Sequence, residues 1–227
     1  SSAASDVYKR QDMDSVIDYS DVGVLINNES EISRTIGWAF VTARNISAER
    51  VFIFDNTSTP TGETINRNQF TTYFEEPFRA MLSNYNGTDL NYLVTTKGIP
   101  LRINGGNNKA SFDQELSLIG GSYDSFIEQD WWIDHDYGPL AGKQMKEFTR
   151  DEYGFFLVTR LTGYTLDTAL DLIEKANDSY GARGTHVLDL ATNRNDTGYK
   201  FWNDDLYVAN TTLLSLIHIS EPTRLRL

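Results

Sequence analysis

Seven side chains carry the chemistry this sequence offers most readily: Lys97, Arg102 and Arg160, the amides Asn27 and Asn28, and the carboxylates Asp113 and Glu115. Lys97 stands at a polar corner, Thr95-Thr96-Lys97-Gly98, that ends the apolar run Leu93-Val94. Arg102 and Arg160 fall at or just past the ends of apolar runs, and Asn27-Asn28 closes another. Ligands of open α/β sheets gather at the carboxyl ends of strands, so these groups are expected to converge on one sheet edge. Cations there would hold a carboxylate or a phosphate. The structural alternative is that Lys97 and Arg160 pair with local acids such as Asp55, Asp113 or Glu115 and fix the loops. Asp113 and Glu115 follow the loop Gly105-Gly106-Asn107-Asn108 and are two residues apart. Paired carboxylates do acid–base work when their surroundings separate their pKa values. They also favour the first turn of a helix, where the dipole attracts negative charge. The structural alternative is preferred for both groups.

Other clusters are weaker. Asp130, Asp134, His135 and Asp136, in DWWIDHDYG, are oxygen and nitrogen donors for a divalent ion, but their spacing matches no ligand pattern. The stretch 193–198 (NRNDTG), with Asp204, lacks the acidic first ligand and closing Glu of a calcium loop and reads as a turn. His186 heads an apolar strand and reads as a packed residue. There is no G-x-S-x-G elbow, no P-loop and no G-x-G-x-x-G after the first strand, so neither a serine hydrolase nor a cofactor is expected. No metal site is expected either.

The elements that must position these residues follow from hydrophobic pattern. Residues 22–26 (VGVLI) are a continuous apolar run of strand length, as for a strand covered on both faces. A helical stripe follows at Ile32, Ile36, Ala39, Phe40 and Ala43. Residues 50–54 predict a second strand, followed by a polar loop. A second stripe runs through Phe70, Tyr73, Phe74, Phe78, Met81 and Leu82, and Pro77 is expected to kink that helix or split it in two. Residues 90–95 and 155–158 predict further strands, and His186 opens a fifth at 186–190. An amphipathic helix through Leu166, Ala169, Leu170 and Ile173 separates the last two. The alternation predicts an α/β fold, three-layer and doubly wound around a mostly parallel sheet of Rossmann-like or caspase-like kind.

Composition bounds the rest. The 227 residues carry a formal charge of −12, which opposes nucleic-acid binding, and no apolar run reaches the roughly 20 residues of a membrane helix. The absence of cysteine excludes disulfides and any thiolate within the sequence. Residues 1–11 (SSAASDVYKRQ) and 215–227 (SLIHISEPTRLRL) resemble translated sequencing adaptor, so the native portion is expected to be 12–214, truncated at both ends. Within it, residues 12–154 are expected to form a first α/β domain with an acidic insertion at about 120–154. Residues 155–214 are expected to form a linking strand–helix unit and the start of a second half.

Three segments together suggest a lineage: 92–101 (YLVTTKGIPL), 110–118 (ASFDQELSL) and 156–180 (FLVTRLTGYTLDTALDLIEKANDSY). They resemble a family of uncharacterised bacterial and archaeal proteins predicted to be exported. More remotely, the 156–180 unit is similar to the linker between the caspase-like halves of gingipain-type cysteine peptidases. In that group the first half is non-catalytic, and the second carries His-Gly after one strand and Cys after the next. Here Lys97-Gly98 stands where His-Gly would be, and there is no Cys. The resemblance therefore implies a non-catalytic, peptidase-like domain of a larger, extracytoplasmic or secreted protein, partnered by the downstream half of its own chain. The alternatives are a hydrolase with its site around Lys97, or a binding module for a small acidic ligand.

Overall fold

The computed structural model describes residues 19–85, 87, 89–105, 108–127, 148–178 and 200–217. The chain divides into two compact units, Ser1–Asp178 and Ser179–Leu227. The sheet and its helices belong to the first. Strand β1 (Val22–Asn27) is buried along its whole length and leads into helix α1 (Glu31–Ala43). Strand β2 (Val51–Phe54) is followed by a short strand β3 (Thr64–Asn66) in what the sequence pattern reads as loop. Helix α2 (Arg67–Phe70), a π-helical turn (Thr71–Glu75) and helix α3 (Glu76–Asn84) then run on continuously. Strand β4 (Tyr92–Thr96) precedes a hairpin of β5 (Arg102–Gly105) and β6 (Asn108–Ser111). Helices α4 (Phe112–Leu118) and α5 (Arg150–Tyr153), strand β7 (Leu157–Leu161) and helix α6 (Leu166–Asp178) complete the unit. In the second unit, helix α7 spans Lys200–Ile217, where the pattern predicts no element.

Among the described residues, β2, β1, β4 and β7 form a parallel sheet in that order. Residues of β1 alternate between its two faces. Leu25 faces a core of Phe52 and Phe54 from β2, Phe70, Phe74 and Phe78 from the α2–α3 run, Phe112 from α4, and Phe156 just before β7. Val24 and Ile26 face Ile36, Phe40, Ala169 and Ile173 of α1 and α6. The protein is therefore a three-layer α/β fold. Order β2-β1-β4 reverses the winding direction at β1, which places a topological switch point between the carboxyl ends of β1 and β4.

Local details depart from the pattern for physical reasons. The buried face of α1 is Ser33, Ile36, Gly37, Phe40 and Val41, while Ile32 is exposed. Gly37 allows this rotation: a Cβ there would lie 2.6 Å from Ile26, so the helix can sit down on β1. The stripe around Pro77 is divided into α2 and α3 by the π turn. Pro77 occupies the first turn of α3, and the π turn ahead of it redirects hydrogen bonding, with the Glu76 N–H reaching Thr71 O. Phe70, Phe74 and Phe78 consequently all stay fully buried. Their rings meet Phe112, Phe54 and Phe52 edge to face at 4.9–5.3 Å, the arrangement the ring quadrupole favours.

Gly105 and Asn108 of the Gly-rich stretch are paired strand residues, at the end of β5 and the start of β6. With β3 the β5–β6 hairpin makes a second, three-stranded sheet in the order β3-β5-β6. That sheet places α4, and so Asp113, over the carboxyl end of the main sheet. The cluster Asp130, Asp134, His135 and Asp136, the turn 193–198 and the strand at His186 lie outside the described residues.

Candidate functional site

The carboxyl edge of the sheet is built around three strand ends. Asn27 closes β1, Thr95, Thr96 and Lys97 close β4, and Arg160 stands near the end of β7, inside the strand rather than beyond it. The register pairs Thr95 with Arg160 and Thr96 with Leu161, which sets the arginine beside the Thr95-Thr96-Lys97-Gly98 corner.

Polar side chains fill the switch point. The buried Asn27 side chain donates from Nδ2 to Pro60 O at 2.9 Å and Gly98 O at 3.0 Å, and accepts from the Glu29 N–H at 3.1 Å. Ser33 Oγ accepts the Asn27 N–H at 2.9 Å and lies 2.6 Å from Thr96 Oγ1. Ser30 caps α1 by accepting from the Ser33 N–H. Gly98 presses against this cap with φ at +97°, and a Cβ on it would sit 2.1 Å from Ser30 Oγ. A crevice at this position of an α/β sheet often takes a ligand; here the protein occupies it with its own groups.

Arg160 is saturated. Nε donates to Asp113 Oδ2 at 2.8 Å, and NH2 to Asp113 Oδ1 at 2.5 Å and Pro100 O at 2.9 Å. NH1 donates to Ile99 O at 2.9 Å and Thr96 O at 3.3 Å. A guanidinium has five N–H donors, and all five are used. Asp113 also stands 3.1 Å from Thr95 Oγ1, so α4, β4 and β7 meet on one ion pair. Its place in the first turn of α4 agrees with the helix-start expectation, although Ser111 supplies the cap itself.

Lys97 points along the edge towards the loop after β7. Its Nζ donates to Gly163 O at 2.6 Å and Tyr164 O at 2.8 Å, and its backbone N–H to Leu161 O at 2.9 Å. Among the described residues one ammonium N–H has no acceptor. Behind it opens a cleft of about 560 Å³ that includes Thr61, Glu63, Ile99, Leu101 and Tyr164. The remaining expected residues go elsewhere. Glu115 is buried and pairs with Arg67 at 3.1 Å, so the two carboxylates do not act together. Arg102 begins β5 with an exposed side chain and does not line the cleft. Asn28 contributes backbone only, donating to Phe54 O at 2.9 Å and accepting from Arg34.

Sequence pattern named Thr96 only as part of the corner, and missed Ser33 and the carbonyls of Gly163 and Tyr164. The Thr95-Thr96-Lys97-Gly98 corner marks part of this network in advance; Ser33 lies off the predicted stripe and joins the network only through the observed rotation of α1. Among the described residues no three His, Asp or Glu side chains converge as a metal site, and no helix is long and apolar enough to cross a membrane. No family model, curated protein or solved structure matches the chain.

Proposed function

We propose that this chain is a non-catalytic, peptidase-like α/β domain of a larger exported protein, which supports or binds a partner such as the downstream half of its own chain. The observation that carries this reading is the complete internal use of the Arg160 donors, with Asp113 in its ion pair and Lys97 bonded separately to the Gly163 and Tyr164 carbonyls. A catalytic edge keeps donors and a base free for substrate. In the peptidases that the 156–180 unit resembles, His-Gly follows one strand and Cys the next. Here Lys97-Gly98 stands where the His-Gly would be, and the lysine is bonded to the Gly163 carbonyl in the loop after β7.

A second reading, a module for a small acidic ligand, draws on the cleft and the Lys97 N–H that has no acceptor among the described residues. A turnover assay of the chain with peptide amides and esters, alongside Lys97→Ala, separates these from a hydrolase. The supporting role predicts no turnover above buffer for either protein. Turnover by the parent chain that Lys97→Ala abolishes without unfolding would establish the hydrolase instead.

A further inference from the structure

A second cavity lies at the opposite, amino edge of the sheet, and there Arg150 has no ion-pair partner among the described residues. It measures about 320 Å³, and its walls include Leu82, Leu90 and Ile119 together with Arg79, Tyr85 and Arg150. Arg79 is neutralised: it donates to Glu75 Oε1 at 2.9 and 3.1 Å and to Asp124 Oδ1 at 2.6 Å. The Tyr85 hydroxyl is also engaged, accepting from Arg50 Nε at 3.2 Å and donating to Asp89 Oδ1 at 2.9 Å.

Arg150 differs from both. Its NH2 donates to Gly120 O at 2.5 Å and lies 3.5 Å from Ile119 O, and its guanidinium carbon sits 4.1 Å from the Phe156 ring centroid. Its Nε is buried and has no partner. Among the described residues no carboxylate forms an ion pair with it. Burial pushes its pKa below the usual arginine value, and the charge of neighbouring Asp151 only partly opposes this. Withdrawing a guanidinium from water is costly unless an anion offsets it. Two carbonyls and an aromatic face give partial compensation only.

We propose that this cavity binds a small monocarboxylate with an apolar body, its carboxylate on Arg150 and its body against Leu82, Leu90 and Ile119. The volume is at the lower end of the range for small-molecule sites. A single uncompensated positive charge selects a monoanion. A phosphate dianion would bring excess negative charge close to the Glu75 and Asp124 carboxylates that hold Arg79. Apolar walls on the remaining sides favour an aliphatic or aromatic body over a second charge.

Benzoate is a suitable probe, titrated into the full chain at constant ionic strength while the thermal midpoint is followed. Saturable stabilisation is expected with benzoate, and none with inorganic phosphate or benzyl alcohol. Arg150→Met should weaken the benzoate response at least tenfold. That variant also loses the carbonyl contacts at the end of α4 and can fail to fold. Ser83→Phe guards against this, because Ser83 is exposed and lines the cavity, so a ring there blocks it without touching Arg150. Abolition of the response by Ser83→Phe supports the site. No saturable benzoate response, or one unchanged in a folded Arg150→Met or in Ser83→Phe, overturns it. Stabilisation by phosphate or benzyl alcohol as strong as by benzoate overturns the monocarboxylate assignment.

Discussion

Arg160 shows how one side chain decides what a sheet edge can do. Its side chain is only 10% exposed, and it holds Asp113 of α4 and three carbonyls of the 96–100 segment at once. Removing one partner of a buried ion pair leaves the other charge uncompensated. Arg160→Met is therefore expected to destabilise the protein by about 3–5 kcal/mol. Asp113→Asn keeps the shape and some hydrogen bonding, so its cost should be lower, about 1–3 kcal/mol. Chemical denaturation of the two variants checks the order; equal costs near zero would mean that the pair does not hold the corner. The sequence made Lys97, Arg160 and Asp113 visible as charged residues near strand ends. It did not make visible their satisfaction by backbone carbonyls, because carbonyl positions depend on the path of the chain and not on residue type.

At the scale of elements, the Thr95-Thr96-Lys97-Gly98 corner joins β4 to the second sheet through a glycine that no other residue replaces easily. Gly98 combines positive φ with direct contact on the Ser30 cap of α1. Gly98→Ala should cost about 1–3 kcal/mol from backbone strain, with a further loss from the displaced cap. Adding Ser30→Gly relieves the clash but not the strain, so the double variant should recover only part of the loss in thermal midpoint. Full recovery would show that φ at this position is unimportant. The main strands and α6 are legible because apolar runs and stripes record them directly. Strand β3 and the β5–β6 hairpin are not, since Thr64, Asn66, Arg102 and Asn104 give polar, exposed strands around single buried isoleucines, Ile65 and Ile103. The π turn before Pro77 is likewise hidden. A proline predicts a broken hydrogen bond, but not whether the helix bends or inserts a residue to absorb it.

Across the first unit, carboxylates tie peripheral segments to the core and set its acid stability. The Tyr85 hydroxyl holds Asp89 below its usual pKa, with help from Arg50 outweighing burial. For Asp124 burial pushes upwards, but the Arg79 guanidinium and the Gly120 N–H outweigh it and the pKa is lowered. A carboxylate whose pKa is depressed by folding contributes stability above its unfolded value, near 4, and loses it as pH falls through the folded value. The thermal midpoint should therefore fall below about pH 4. Asp124→Asn should lower the midpoint at pH 7 and flatten that acid slope; an unchanged slope would remove Asp124 from the account. Fold class is the part of the whole molecule that sequence pattern reached, through β–α alternation. The closed carboxyl edge was not reachable in the same way, because it requires α4, β4 and β7 to be placed together first.

The most direct test of that closed edge is the thermal midpoint of Lys97→Ala, read beside its turnover and ligand response. Lys97 bonds two loop carbonyls, and charge-assisted hydrogen bonds contribute about 1.5–3 kcal/mol. A structural role predicts a midpoint lower by several degrees, with no activity or ligand response lost. An unchanged midpoint together with lost turnover or lost ligand binding would contradict it and make Lys97 a working residue.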